Sequence, residues 1–322
     1  MMDVKEKTYT VAEAADMIGI QPHTLRRLER QGLIPEAARD KRGRRYTQQD
    51  IDEIRKKYGT RTRREAYTIA VVNQKGGVGK TTLSVNLAAA LAVKGNRVLL
   101  IDFDPQVNAT VSVGIPWGDI EFSIADVLAR PEVATKKLAD VVLTLNIHPN
   151  LFLVPSSLNL AGIEMELINR PGRDIRLDAA MAPIRGDYDY IIIDCPPNLG
   201  MLCINALTAS DGVLIPMDDT LALQGAGQLL QLRGECAQIG KRRVDLLGAV
   251  LTRQRTHANT SFIAGLAKEV FNARLLKTRI PERAAIATAT SNGQPIALTG
   301  ADEGNCFFNL ADELEGIIHA KK

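Results

Sequence analysis

A chain of 322 residues, 45% of them hydrophobic, is long enough for one large α/β domain plus a smaller module, and too apolar for a disordered protein. Aromatics make up only 4%, which argues against a single-strand nucleic-acid binder that stacks bases; no apolar run nears the ~20 residues that span a bilayer, and residues 1–10 hold no signal-type apolar stretch, so a cytoplasmic protein is expected. The net charge of +3 is uneven, with 16 basic against 10 acidic side chains in residues 1–64 and 10 against 3 in residues 241–283, so two surfaces are expected to face polyanions unless these charges are simply solvated.

At the N-terminus, Thr10 caps a helix to Ile18 whose apolar positions are Val11, Ala14, Ala15 and Ile18. Gly19 makes a turn, Pro22 opens a second helix over His23–Gln31 with Arg26, Arg27 and Arg30 outward, and Gly32-Leu33-Ile34-Pro35 ends it. A basic, glycine-centred segment from Arg39 to Tyr46 precedes a third helix over Thr47–Tyr58. The pattern Tyr9-Thr10-Val11-Ala12-Glu13-Ala14-Ala15, Leu25-Arg26, Glu29, Gln31-Gly32-Leu33-Ile34-Pro35 and Gly43-Arg44-Arg45-Tyr46 resembles the MerR-type winged helix-turn-helix. It departs at Arg27-Leu28, where that family commonly has two aromatics. The resemblance implies a DNA-binding domain over residues 1–58, with the second helix in the major groove and the wing on phosphate. Arg26, Arg27, Arg30, Arg44 and Arg45 are the implied contacts; a basic oligomerisation arm is the alternative.

The polar, basic stretch around Lys56–Arg64 reads as a linker, taken as residues 59–66, before a second domain over 67–322. There, apolar β-runs at Thr68–Asn73, Arg97–Asp102, Leu151–Pro155, Tyr190–Asp194, Gly212–Pro216 and Leu246–Leu251 alternate with helical patterns, including Thr81–Lys94, Leu223–Gln238 and Asn259–Phe271. Such alternation predicts an α/β fold with a mostly parallel sheet flanked by helices.

Between the first run and the first helix lies Gln74-Lys75-Gly76-Gly77-Val78-Gly79-Lys80-Thr81-Thr82. Glycines let backbone N–H groups converge on phosphate oxygens, and the helix N-terminus adds the positive end of its dipole. Lys80 is placed to reach the β- and γ-phosphates, and the Thr81 hydroxyl to ligate magnesium. Gln74 stands where the plain P-loop has its first glycine, and Lys75 is an additional lysine. Two more strands end in carboxylates, Asp102-Phe103-Asp104-Pro105-Gln106 and Asp194-Cys195-Pro196-Pro197, on the sheet edge that carries the P-loop. Asp194 suits the magnesium shell, directly or through water, and Asp104 stands near the metal to orient the attacking water; helix capping is the alternative.

Lys75-Gly76-Gly77-Val78-Gly79-Lys80-Thr81-Thr82 together with these two motifs resembles the ParA/MinD family of deviant Walker-A ATPases over residues 67–320. The resemblance implies ATP and Mg2+ as ligands, slow hydrolysis, and a homodimer whose Lys75 reaches the partner subunit's phosphates. Thr278-Arg279-Ile280-Pro281-Glu282-Arg283 and Asn292-Gly293-Gln294-Pro295-Ile296 are similar to the ParA ending, which implies a base near Pro281. Asn198-Leu199 departs from the small serines usual after Pro-Pro.

The apolar stripe of Phe307–Lys322 shares its helix with Asp312, Glu313 and Glu315, which anionic lipid would repel, so that helix is expected to pack on the sheet rather than bind membrane. Cys195, Cys203, Cys236 and Cys306 form no CxxC pair and read as reduced thiols, with a zinc or iron–sulfur site the alternative. The basic segment fits the ParA branch, which binds double-stranded DNA non-specifically when ATP-dimerised. Its candidate contacts are Arg253, Arg255, Lys268, Arg274, Lys277 and Arg279. A nucleoid-associated partition ATPase is therefore expected, driven by a ParB-like or adaptor partner and segregating a plasmid or chromosome, its N-terminal domain on operator or partition-site DNA and repressing its own operon. An ATP-liganded transcriptional regulator and a positioning ATPase for a protein cargo are the alternatives.

Overall fold

The N-terminal fragment builds its own small core because each of its short elements offers one apolar face. Strand β1 (Thr8–Thr10) runs into α1 (Val11–Ile18) through a capping box. Thr10 N–H and Oγ1 donate to Glu13 Oε2 at 2.8 and 2.9 Å, and Glu13 N–H donates back to Thr10 Oγ1. Helix α2 (Pro22–Arg30) opens on its proline, which has no N–H to leave unpaired. The basic segment becomes a hairpin, β2 (Ala38–Asp40) with β3 (Gly43–Thr47), and β1 pairs on the other side of β3. Ala14, Ala15, Ile18, Leu25, Leu28, Tyr46, Ile51 and Ile54 close the core.

The computed structural model describes residues 8–18, 22–30, 34, 37–40, 43–47, 50–51, 53–54, 65–129, 136–240, 243–254 and 258–320, in two compact units, Met1–Arg64 and Glu65–Lys322. Of the expected third helix, residues 50, 51, 53 and 54 are described and helical, and Thr47 and Asp50 cap one another at its start. Residues 59–64 of the expected linker lie outside the described residues. Ala66 already belongs to the large unit: it is buried, and its N–H donates to Arg185 O at 3.1 Å.

The large unit alternates strand and helix. In chain order it comprises β4 (Tyr67–Val71), α3 (Lys80–Val93), β5 (Val98–Asp102), α4 (Asn108–Ser112), α5 (Ile124–Leu128), β6 (Leu143–Thr144) and β7 (Leu151–Val154). There follow α6 (Asn159–Leu167), α7 (Arg176–Met181), β8 (Tyr190–Asp194), α8 (Met201–Thr208), β9 (Gly212–Met217), α9 (Thr220–Ile239) and β10 (Asp245–Gln254). The last elements are α10 (Ala258–Phe271), β11 (Leu275–Pro281), α11 (Ala284–Ser291) and α12 (Asn305–His319).

The strands form one sheet in the order β11-β10-β9-β4-β8-β5-β7-β6, parallel except for the edge pair β6–β7. Alternate residues feed opposite cores. Ala70, Leu99, Ile101, Ile191 and Ile193 face one, and Ile69, Val71, Leu100, Ile192 and Leu214 the other. Burial on both faces explains why these strands are continuous apolar runs rather than alternating ones.

Helix α12 buries Phe307, Leu310, Ala311, Leu314 and Ile318 against the second core. Its acidic side is also engaged by protein: Lys94 pairs with Asp312 and Glu315, and Glu313 accepts the N–H groups of Lys277 and Thr278 at 2.7 and 2.9 Å. The last contact covers part of edge strand β11, which would otherwise offer free donors for unwanted pairing. No helix among the described residues is long and apolar enough to cross a membrane. Phe307 is fully buried, so Phe307→Ala is expected to destabilise the large unit by about 3–5 kcal/mol, read as a lowered urea midpoint at unchanged slope.

Candidate nucleotide site

The C-terminal ends of β4, β5, β8 and β9 converge on one edge of the sheet. After β4 the chain turns through Asn73, whose Nδ2 donates to Pro216 O at 2.7 Å and whose Oδ1 accepts Lys75 N–H at 2.9 Å. The loop closes onto α3 with Gly77 and Gly79 at φ 77° and 89°, values that favour glycine, and Gly79 is the helix N-cap. Val78 is buried; Gly76, Gly77, Gly79, Lys80, Thr81 and Thr82 line a cleft of about 380 Å³ together with Asp104 and Pro197.

Lys80 lies 6% exposed, donates to Lys75 O at 3.1 Å and forms no ion pair among the described residues. Burial pushes its pKa down, against the pull of Asp194 and Asp104. A buried ammonium of this kind, at the mouth of a glycine loop and a helix N-terminus, fits a polyanionic phosphate chain.

Asp194, fully buried, accepts Thr81 Oγ1 at 2.7 Å and Ser84 Oγ at 2.8 Å. Burial pushes its carboxyl up to about 6 despite these bonds. Among the described residues no group of three or more His, Cys, Asp or Glu side chains is placed to hold a metal. The donor set instead fits magnesium shared between the Thr81 hydroxyl, phosphate oxygens and water, with Asp194 beside it, since this small cation prefers such mixed shells to all-protein cages.

Asp102 faces Asp194 in the register of β5 and β8. Its carboxylate accepts Thr110 N–H and Oγ1 at 2.8 and 2.6 Å and Asp104 N–H at 3.3 Å, which staples the base of the loop that carries Asp104. Burial, then the neighbouring Asp194, pushes Asp102 up to about 7. Asp104 itself is 6% exposed in the cleft and accepts Gln106 N–H at 3.0 Å.

Lys75 lies at the rim, its Nζ donating to Asp218 at 2.8 Å and Asp219 at 2.7 Å. Burial alone would lower its pKa, but these two bonds raise it. A second cleft of about 290 Å³ adjoins the first, shares Gly77, Gly79 and Thr82 with it, and is walled by Thr252, Ile280, Pro281, Arg283, Ile286 and Ala287. Pro281 thus lies beside the phosphate loop, at the end of a strand, β11, that the basic composition of its sequence had concealed.

Among the sequence-predicted DNA contacts, Lys268, Arg274, Lys277 and Arg279 are exposed along α10, the following turn and edge strand β11. Arg253 is placed differently, with its guanidinium on Gly77 O at the phosphate loop. Arg255 lies outside the described residues. In the small unit Arg26 and Arg30 are exposed, and only the backbone of Arg27 is described. Arg45 lies in β3 with Arg44, whose Nε is 2.6 Å from Glu29 Oε2, so that it holds the wing to α2. Sequence reasoning missed Ser84, Thr110 and the Asp218–Asp219 pair. The last could have been found by the rule that located Asp104 and Asp194, carboxylates just after an apolar parallel strand. All four cysteines are free thiols; burial pushes Cys195, Cys203 and Cys236 up, and Cys306 to about 11.

A phosphate-cradling loop between a parallel strand and a helix, with a buried lysine, a threonine and a strand-end aspartate, defines a P-loop nucleoside triphosphatase. A family profile described as an AAA domain matches residues 66–244, and one described as MerR family regulatory protein matches residues 10–47. The sporulation initiation inhibitor protein Soj of Bacillus subtilis is 42% identical over 232 residues, 71% of this chain and 90% of that one. The chromosome partitioning protein ParA of Myxococcus xanthus is 37% identical over 249 residues, 76% of this chain and 85% of that one. A crystal structure of cobyrinic acid a,c-diamide synthase from Mycobacterium smegmatis, with bound ADP and magnesium, superposes with a TM-score of 0.69 at 31% identity, over 80% of this chain and 97% of that one. The chain belongs to the ParA/Soj family of partition ATPases, and carries a MerR-like N-terminal region.

Proposed function

We propose that the chain is an ATP-gated DNA partition switch: ATP and magnesium occupy the cleft, two chains close on the nucleotides through Lys75, the dimer binds DNA, and hydrolysis stimulated by a partner protein releases it. The observation that carries this reading is Lys75 itself, a second loop lysine held at the rim by Asp218 and Asp219 instead of pointing into its own cleft. In the proposed site the loop N–H groups and Lys80 bind the β- and γ-phosphates, Thr81 meets the metal, Asp194 orients Thr81, and Asp104 orients the water. Magnesium, when bound, offsets negative charge on the phosphate oxygens. The base takes the second cleft by Pro281. Lys268, Arg274, Lys277 and Arg279 supply phosphate contacts on DNA, which need charge rather than sequence readout.

The test is mass in solution and DNA retention. With ATP and magnesium the wild type is expected to double its mass and to bind arbitrary duplex DNA, with an affinity falling steeply with salt. Lys75→Ala is expected to stay monomeric and to lose the ATP-dependent part of DNA binding. A wild type that remains monomeric in ATP, or that binds DNA equally without it, overturns the reading.

The winged hairpin and the exposed Arg26 and Arg30 of the small unit favour a second activity, recognition of an operator or partition site. Footprinting of one discrete site, with cargo still segregating after Asp104→Ala, would favour a transcriptional regulator for which ATP is only a conformational ligand.

A further inference from the structure

Arg253, the last residue but one of β10, lies in the left-handed region at φ 50°, a conformation most non-glycine residues avoid. Its guanidinium, half exposed, makes contacts on two sides: Nη1 donates to Gly77 O at 2.9 Å and stands 4.0 Å from Asp218 Oδ2, and Nη2 pairs with Glu282 Oε1 at 2.8 Å. The preceding residue acts in parallel, Thr252 Oγ1 donating to Val78 O at 2.7 Å. The tip of β10 therefore engages two consecutive carbonyls of the phosphate loop, Gly77 O and Val78 O. A loop whose carbonyls are held in this way keeps a fixed backbone, with its N–H groups free to converge on phosphate. Glu282, the second partner, lines the neighbouring cleft beside Pro281. Asp218, the third, is also an anchor of Lys75 at 2.8 Å.

We propose that Arg253 is a positioning residue for nucleotide binding, which clamps the phosphate loop at Gly77 O and ties it, through Glu282 and Asp218, to the rim of the second cleft and to the anchor of Lys75. It acts on the loop and not on DNA, although it lies in the basic stretch of the sequence. Geometry suits this task to arginine: separate nitrogens of one rigid planar fork meet the carbonyl and the carboxylate, whereas lysine offers a single point charge on a flexible stem. The inference rests on reading the cleft as an ATP site.

The test is equilibrium binding of a fluorescent ATP analogue and its ADP counterpart with magnesium, on the full chain. Arg253→Ala is expected to weaken both about tenfold, to raise KM for ATP far more than it lowers kcat, and to leave the nucleotide-free melting temperature close to wild type. Arg253→Lys, a milder change, is expected to recover only part of the affinity. Glu282→Gln is expected to shift affinity in the same direction, and the double variant with Arg253→Ala to be no weaker than Arg253→Ala alone, because the two act as one unit. Affinity within twofold of wild type in Arg253→Ala overturns the proposal, as does full recovery in Arg253→Lys. A lowered salt slope of DNA binding with unchanged nucleotide affinity also overturns it, and makes Arg253 a phosphate contact instead. Failure of the wild type to bind the analogue would sink the ATP reading itself, a separate result.

Discussion

Asp104→Ala is expected to lower ATP turnover at saturation by about 10²–10⁴-fold while leaving ATP affinity within a few-fold of wild type. The side chain is 6% exposed, lines the same cleft as Lys80 and Thr81, and makes no ion pair among the described residues. Its removal takes away the proposed water-orienting carboxylate without touching the glycine cradle. The loop should survive the change, because Asp102 and Thr110 staple its base independently of Asp104. Single-turnover phosphate release, measured beside nucleotide binding, separates the two effects. Turnover within threefold of wild type would remove Asp104 from the chemistry and leave the ATPase reading without its water-orienting group. The same variant, if it binds without hydrolysing, is expected to accumulate as the ATP-bound dimer on DNA.

Asp194→Asn is expected to weaken magnesium-dependent ATP binding about 10–100-fold and to have far less effect on binding without magnesium. The carboxylate is fully buried and accepts two hydroxyls, from Thr81 and Ser84. An amide keeps one acceptor for Thr81. Ser84 also donates to Lys80 O at 3.0 Å, so its hydroxyl can turn its lone pair to the new N–H, and the fold has no reason to fail. What disappears is the negative charge beside the proposed metal position. Titrating nucleotide with and without magnesium reads this directly. Equal losses in both series would assign Asp194 a purely structural part, tying α3 to β8.

The glycine loop, the two strand-end aspartates and the parallel sheet were legible along the chain because each rests on local rules. Glycine is needed where φ turns positive, as at Gly77 and Gly79, and apolar runs form strands that are buried on both faces. The winged N-terminal pattern was legible for the same reason, through the Thr10–Glu13 cap, the proline at the start of α2 and the glycine of the hairpin. Other features were not. Strand β11 alternates exposed Lys277 and Arg279 with buried Leu276 and Ile280, and its short period of two is masked in the sequence by its basic side chains. The Asp218–Asp219 anchor of Lys75 was not legible, because nothing local in the sequence ties a carboxylate pair after β9 to a lysine about 143 residues earlier, and Asp219 also serves as the N-cap of α9.

Arg253 shows where the boundary lies. Composition counted it among the cations of a basic stretch, and by charge alone it was indistinguishable from Lys268 or Arg274. Only the sheet order, which sets β10 beside β9 and β11, brings its guanidinium to Gly77, Asp218 and Glu282, residues far from it in sequence. By itself, the sequence determined the class of this protein, a deviant P-loop ATPase joined to a MerR-like N-terminal region, because phosphate binding depends on contiguous residues whose backbone geometry glycine dictates. The tertiary structure decided which cations belong to the nucleotide loop and which are exposed along α10 and β11, because the partner of a charged side chain is set by which strands lie next to each other.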